Sequence, residues 1–154
     1  MKVLQIRALR GPNIWGKLTA IEAVLALAHY ENQPGNIPGF DTYLHEYFPD
    51  IAHFRSADQQ EITLAHILAF IMLKLQEQAG CPVSFSRTIK IAETDNWRIV
   101  VEYTEEAVGR LALEQSLALC QAAAEATSFD THAAIRHLRE LYEDVRLGPS
   151  THSI

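Results

Sequence analysis

Cysteine is nearly missing from this chain of 154 residues, in which Cys81 and Cys120 are the only two. With no Cys-x-x-Cys pair and no dense framework, a disulfide scaffold is excluded, and both residues read as buried thiols of a reducing cytosol. Basic charge is in deficit as well. Thirteen Lys plus Arg stand against nineteen Asp plus Glu, a net charge of -6, which argues against the broad basic face that nucleic acid requires. The apolar run 67–73 is far shorter than the roughly 20 residues of a membrane span, and Arg7 and Arg10 interrupt the start too early for a signal peptide. A cytoplasmic protein is expected, with neither membrane nor nucleic acid as partner. No glycine-rich phosphate loop is present, because the Gly11-Pro12 turn lacks the Lys-Ser/Thr pair of nucleotide sites. Neither cysteine has the local sequence of a catalytic elbow or triad.

What is present is an ordinary globular composition, 48% apolar and 21% charged, in a length suited to one domain that buries roughly two-thirds of its unfolded surface. Alternation over 3–9 predicts a strand that ends in the Gly11-Pro12-Asn13 turn. The segment 18–30 fits a helical period and a strand face about equally. A breaker-rich loop follows over 32–39, then a short helix over 40–48 stopped by Pro49. The strongest helix spans 61–78, apolar almost all round, which marks it as buried on most sides, with Gly80 as its stop. Strands at 88–91 and 97–103 read as a hairpin around Thr94-Asp95-Asn96. Two helices complete the chain. The first covers 105–126, with Ala107, Leu111, Leu113, Leu117, Leu119 and Ala122 as its apolar side. The second runs over about 130–145 behind an Asp130 cap, with Ala134, Ile135, Leu138, Leu141 and Tyr142 as its stripe.

Five segments carry a family likeness across nearly the whole chain: Arg7-Ala8-Leu9-Arg10-Gly11-Pro12-Asn13, Ile37-Pro38-Gly39-Phe40, Gly80-Cys81-Pro82-Val83 with Arg87-Thr88, Val101-Glu102-Tyr103-Thr104-Glu105-Glu106 with Gly109-Arg110, and Leu147-Gly148-Pro149-Ser150-Thr151. In this order and spacing they resemble the amino-terminal domain of cyanophycin synthetase. The resemblance implies that 18–30 is a strand. The fold class expected is then α+β, a mainly antiparallel sheet covered by helices in a two-layer single domain. Residues 1–146 would form the domain, and 147–154 the start of a linker to an ATP-grasp module.

Some members of that family carry His-x-x-Glu-His on the core helix, similar to inverzincin peptidases, and the resemblance implies hydrolysis of the cyanophycin backbone there. A catalytic zinc needs about three protein ligands, an open water position and a base for that water. The matching residues are His66, Ala69 and Phe70, so only the first histidine is kept. Ala69 supplies no base and Phe70 no lone pair. Glu102, Glu105 and Glu106 remain as carboxylates, but one imidazole and one carboxylate under-coordinate the ion. No metal and no hydrolysis are expected, and His66 is read as a buried or half-buried histidine hydrogen-bonded to backbone or carboxylate. His45 lacks a second histidine four places on, where Pro49 stands, and His132 and His137 read as solvated surface groups.

In the family, an ATP-grasp module and a Mur-ligase-like module add Asp and then Arg to cyanophycin, so ATP and Mg belong to those modules and no cofactor is expected for this domain. The resemblance implies an accessory domain that holds the polymer near both active sites, inside a homo-oligomeric parent. Each repeat of the polymer offers a guanidinium and a free carboxylate. Guanidiniums pair well with carboxylates in bidentate geometry, which nominates Glu102, Glu105 and Glu106, while polymer carboxylates nominate Arg7, Arg10, Arg87 and Arg110. Trp15 or Trp97 could stack on a guanidinium plane. Arg10, Arg87 and Glu102 lead this set because they lie within the family segments. Two alternatives stand beside polymer anchoring: a structural or oligomerisation domain, and a residual metal-dependent endo-cyanophycinase.

Overall fold

Four strands and four α-helices make up the computed structural model, which describes residues 1–54 and 61–147. The strands are β1 (Lys2–Leu9), β2 (Ala20–Ala26), β3 (Ser86–Lys90) and β4 (Asn96–Glu102), joined in the order β1-β2-β4-β3 with every neighbouring pair antiparallel. The helices are α1 (Phe40–Tyr47), α2 (Leu64–Gln78), α3 (Glu106–Glu125) and α4 (Thr131–Leu147). This is a two-layer α+β domain. The ambiguous segment 18–30 holds β2, where Ile21, Ala23 and Leu25 face the core and β4 lies alongside. Short 3-10 turns at His29–Asn32, Pro34–Asn36 and Pro49–His53 occupy the loop and the exit of α1.

The helices gather on one face of the sheet. Their apolar sides meet Ile21, Ala23, Leu25, Trp97, Ile99 and Val101 in one core cluster. Helix α2 is its centre, with eleven of fifteen residues buried, as a helix without a continuous polar stripe must be. It begins three residues later than the pattern predicted, because Thr63 takes the cap position in extended backbone. Its far end closes at Gly80, where φ is +99°, a left-handed value that glycine adopts without steric cost.

Three boundaries differ from expectation. Strand β3 runs over Ser86–Lys90, two residues earlier than 88–91 at its start. Glu105 caps α3 in extended backbone instead of opening it, and Leu147 closes α4 instead of starting a linker, while 148–154 lie outside the described residues. The buried stripe of α3 is also rotated from the one expected. Val108, Ala112, Leu113, Leu119, Cys120 and Ala123 join the core, whereas Ala107 is exposed. The expected stripe followed leucines, but small residues sit innermost because helix and sheet backbones approach closely there. Asp130 does cap α4, accepting from the Ala133 N–H at 3.0 Å. Cys81 and Cys120 are free and buried, and burial pushes the Cys120 thiol up to about 12.

Candidate functional site

Strand geometry sends alternate residues to the side away from the helices. The pairing Arg7↔Glu22↔Val100↔Arg87 makes one row across all four strands there, and Gln5↔Val24↔Arg98↔Ile89 makes the next. Leu9↔Ala20↔Glu102 follows on the other side of the first row. None of these residues belongs to the helix-side core cluster. At the centre Glu22 is only 5% exposed, a depth at which a carboxylate needs partners. Its Oε1 accepts from Arg7 Nη2 at 2.5 Å and Nε at 3.1 Å, and Arg98 Nε lies 4.0 Å away. Arg87 is exposed, with no hydrogen-bond or ion-pair partner among the described residues.

Arg10, just beyond β1, donates to Glu106 at 3.4 Å, and Arg110 one turn along α3 donates to the same carboxylate at 3.1 Å. Hydrogen bonds from Arg110 first and Arg10 second hold Glu106 below the usual carboxylate range. The turn before β2 is fastened by Asn13, whose side chain donates to the Leu18 carbonyl at 2.8 Å and accepts from the Trp15 N–H at 2.8 Å. Trp15 itself is half-buried.

Two nominated groups have structural employment. Glu102 Oε1 accepts from the backbone N–H groups of Ser84 at 2.8 Å and Phe85 at 3.1 Å, tying the approach to β3 onto β4. Trp97 faces the helices, 7% exposed, with its ring 5.1 Å from that of His66 in an edge-on arrangement, and is too enclosed to stack on a guanidinium from solvent. The structure thus joins Arg7, Arg87 and Glu102 on one face and Arg10, Glu106 and Arg110 at its end. Glu105 sits beside the second group at the α3 cap. Sequence reasoning missed Glu22 and Arg98. The signal was there: a lone carboxylate inside Ala20-Ile21-Glu22-Ala23-Val24 must turn away from the core, and Arg98 alternates with Trp97 and Ile99.

His66 is 8% exposed and works as a helix cap. Its Nδ1 accepts from the Thr63 backbone N–H at 3.1 Å and lies 2.9 Å from the Thr63 hydroxyl, the place that Glu or Gln ordinarily fills in a capping box. Phe70 packs against Phe54 at 4.7 Å and Phe48 at 6.2 Å between ring centroids, and Ala69 is 2% exposed. No group of three His, Cys, Asp or Glu gathers among the described residues. These residues do not fit a catalytic zinc: the imidazole of His66 directs Nδ1 at its own helix cap, and Phe70 offers only a ring packed in an aromatic cluster.

Burial lowers the His66 pKa from its ordinary 6.5. The unfolded chain therefore binds this proton more readily than the folded one, so stability rises with pH across that interval and falls as acid passes below about 6.5. Protonation at Nδ1 also removes the acceptor that Thr63 uses. His66→Gln, which keeps an acceptor at the cap, is expected to flatten this pH dependence between pH 7.5 and 5.5 in urea unfolding; an unchanged slope would assign it to another group.

The architecture is that of a two-layer α+β domain with an arginine-bearing open sheet face. The family described as cyanophycin synthase-like N-terminal domain matches residues 22–125, and the chain belongs to it. It is similar to cyanophycin synthetases of Trichormus variabilis (33% identical over 170 residues, 100% of this chain and 19% of that protein), Geminocystis herdmanii (34% over 171 residues, 100% and 20%) and Synechocystis (31% over 170 residues, 100% and 20%). The chain thus spans about a fifth of the length of these curated relatives. No helix among the described residues is long and apolar enough to cross a membrane.

Proposed function

We propose that this is a noncatalytic, cytoplasmic accessory domain that anchors cyanophycin while ligase modules of the same protein add Asp and Arg with ATP and Mg. The observation that carries this reading is the arrangement of Arg7, Arg98 and Arg87 across the uncovered sheet face, with the Arg10–Glu106–Arg110 cluster at its end. The free carboxylates of the polymer find guanidinium donors there. A dispersed weak contact to a long repeating chain raises the local concentration of chain ends without tight binding per repeat. Pelleting with insoluble cyanophycin should enrich the chain over a control protein of similar size and charge. Equal recovery of both would overturn the reading.

Loss of the hydrolase ligands has its own consequence. A synthetase carrying this domain should start polymer poorly from monomers and depend on added primer, and efficient primer-free synthesis by the full-length protein would contradict that. Zinc calorimetry with a product assay on cyanophycin tests the hydrolase alternative directly; heat of binding together with released dipeptide would establish it. A structural role is favoured by one observation, the 38% exposure of Val145 near the end of α4, an apolar group suited to packing on a neighbouring module. Deleting residues 1–154 from the parent would then cost its homo-oligomeric state and leave polymer affinity unchanged.

A further inference from the structure

Resting on the reading that this domain holds cyanophycin, we propose that the open sheet face reads the polymer's free carboxylates, with Arg7, Arg98 and Arg87 as donors and Glu22 as the residue that positions the first two. Glu22 is the only carboxylate in the two central rows and it is buried, so an incoming guanidinium has no acceptor there and meets three like charges. The balance of those rows is three positive against one negative, an excess of two in a chain whose net charge is -6. Counting Glu102 in the next row still leaves the face positive, and one oxygen of Glu102 is committed to backbone N–H groups.

The donors are not used up by Glu22. Arg7 directs Nε and Nη2 at it while its side chain stays 55% exposed. Arg98 is held only at 4.0 Å, its Nε is buried without a hydrogen-bond partner, and its side chain is 39% exposed. A planar guanidinium fixed along one edge keeps its other N–H groups in a fork that fits a carboxylate bidentately. Arg87 extends the row at its far end. Three strand steps of about 4.8 Å separate Arg7 from Arg87, roughly 14 Å, and an extended chain repeats same-side groups every two residues, about 6.8 Å. Carboxylates four residues apart therefore match the two ends of the row, and the group between them falls between Glu22 and Val100, with Arg98 in the neighbouring row beside it.

The sign of one substitution separates positioning from plain electrostatics. Removing a negative charge beside three arginines strengthens anion binding if only the field matters. If Glu22 positions the forks, Glu22→Gln weakens binding of soluble poly-L-aspartate to the whole chain roughly tenfold, the scale of one charge-assisted hydrogen bond, as read by calorimetry. Arg98→Lys, which keeps the charge and loses the fork, should weaken it severalfold with the unfolding curve unchanged, and oligo-L-arginine should bind this face no better than the variants bind it. Unchanged or tighter poly-L-aspartate binding by Glu22→Gln, together with an inert Arg98→Lys, would overturn the proposal. Cyanophycin that still pellets the protein when both variants are inert would leave polymer anchoring intact and move it to another surface; a chain that cyanophycin never pellets would instead sink the anchoring reading.

Discussion

Ala69→Glu is expected to lower the free energy of unfolding by about 3 kcal/mol or more, a large share of the 5–15 kcal/mol typical of a domain. Ala69 is 2% exposed and joins the core cluster with Leu68 and Met72. A carboxylate placed there loses its water among apolar neighbours. Adding Phe70→His removes a ring that lies 4.7 Å from Phe54 and 6.2 Å from Phe48, so the double variant spells His-x-x-Glu-His over 66–70 at a further cost in packing. Because burial raises a carboxyl pKa, the variant's deficit should shrink as pH falls from the raised folded value toward the ordinary glutamate value near 4.3, the interval in which the folded state alone holds the proton. Urea unfolding of both proteins at pH 7 and 4 measures this. Zinc should not restore the loss, since His66 directs Nδ1 at Thr63; a zinc-dependent rise in the unfolding midpoint of the double variant would show that a ligand set had reassembled.

That expectation joins what the sequence states openly to what it hides. That Ala69 and Phe70 carry no metal-binding atom is legible as letters, and so is the buried character of their helix, because an apolar pattern without a polar stripe has only one stable location. The cap role of His66 was not legible, since histidine at the third helical position is rarely read as a cap. In the sheet, alternation located β1 and the hairpin, though the expected 88–91 left Arg87 outside its strand. Local pattern could not reveal that β4 inserts between β2 and β3, because strand order depends on pairings separated by some 75 residues of chain. For the same reason Glu22 and Arg98, neighbours only across that β2–β4 pairing, were invisible as a unit. The β1 bulge between Val3 and Gln5 is a second case: it turns Leu4 outward, 47% exposed, against the simple period.

Gly109→Ala separates local propensity from packing by the sign of its effect. Alanine in the interior of a helix gains about 1 kcal/mol over glycine, so an isolated α3 would be stabilised. In the folded domain a Cβ at this position would stand 2.8 Å from Tyr103 Cβ, 3.1 Å from Ile21 Cγ1 and 3.2 Å from Tyr103 Cγ. The nearest of these is not the far end of a flexible side chain, since Tyr103 Cβ is fixed to a backbone that pairs with Thr19, so helix and sheet must separate. Overpacking of this kind costs about 1–3 kcal/mol, and the net expectation after the propensity gain is a loss of up to about 2 kcal/mol, rising further for Gly109→Leu. The same displacement reaches the charged surface, because Glu106 and Arg110 lie within one turn of Gly109 on α3, and Arg10 meets Glu106 from the end of β1. Denaturant unfolding reads the first effect. The second should appear as weaker retention of Gly109→Ala on cyanophycin than of Arg10→Ala, which removes one exposed guanidinium and leaves the seat of α3 alone. A more stable Gly109→Ala protein would mean that α3 does not rest on Tyr103 and Ile21 as closely as these distances require.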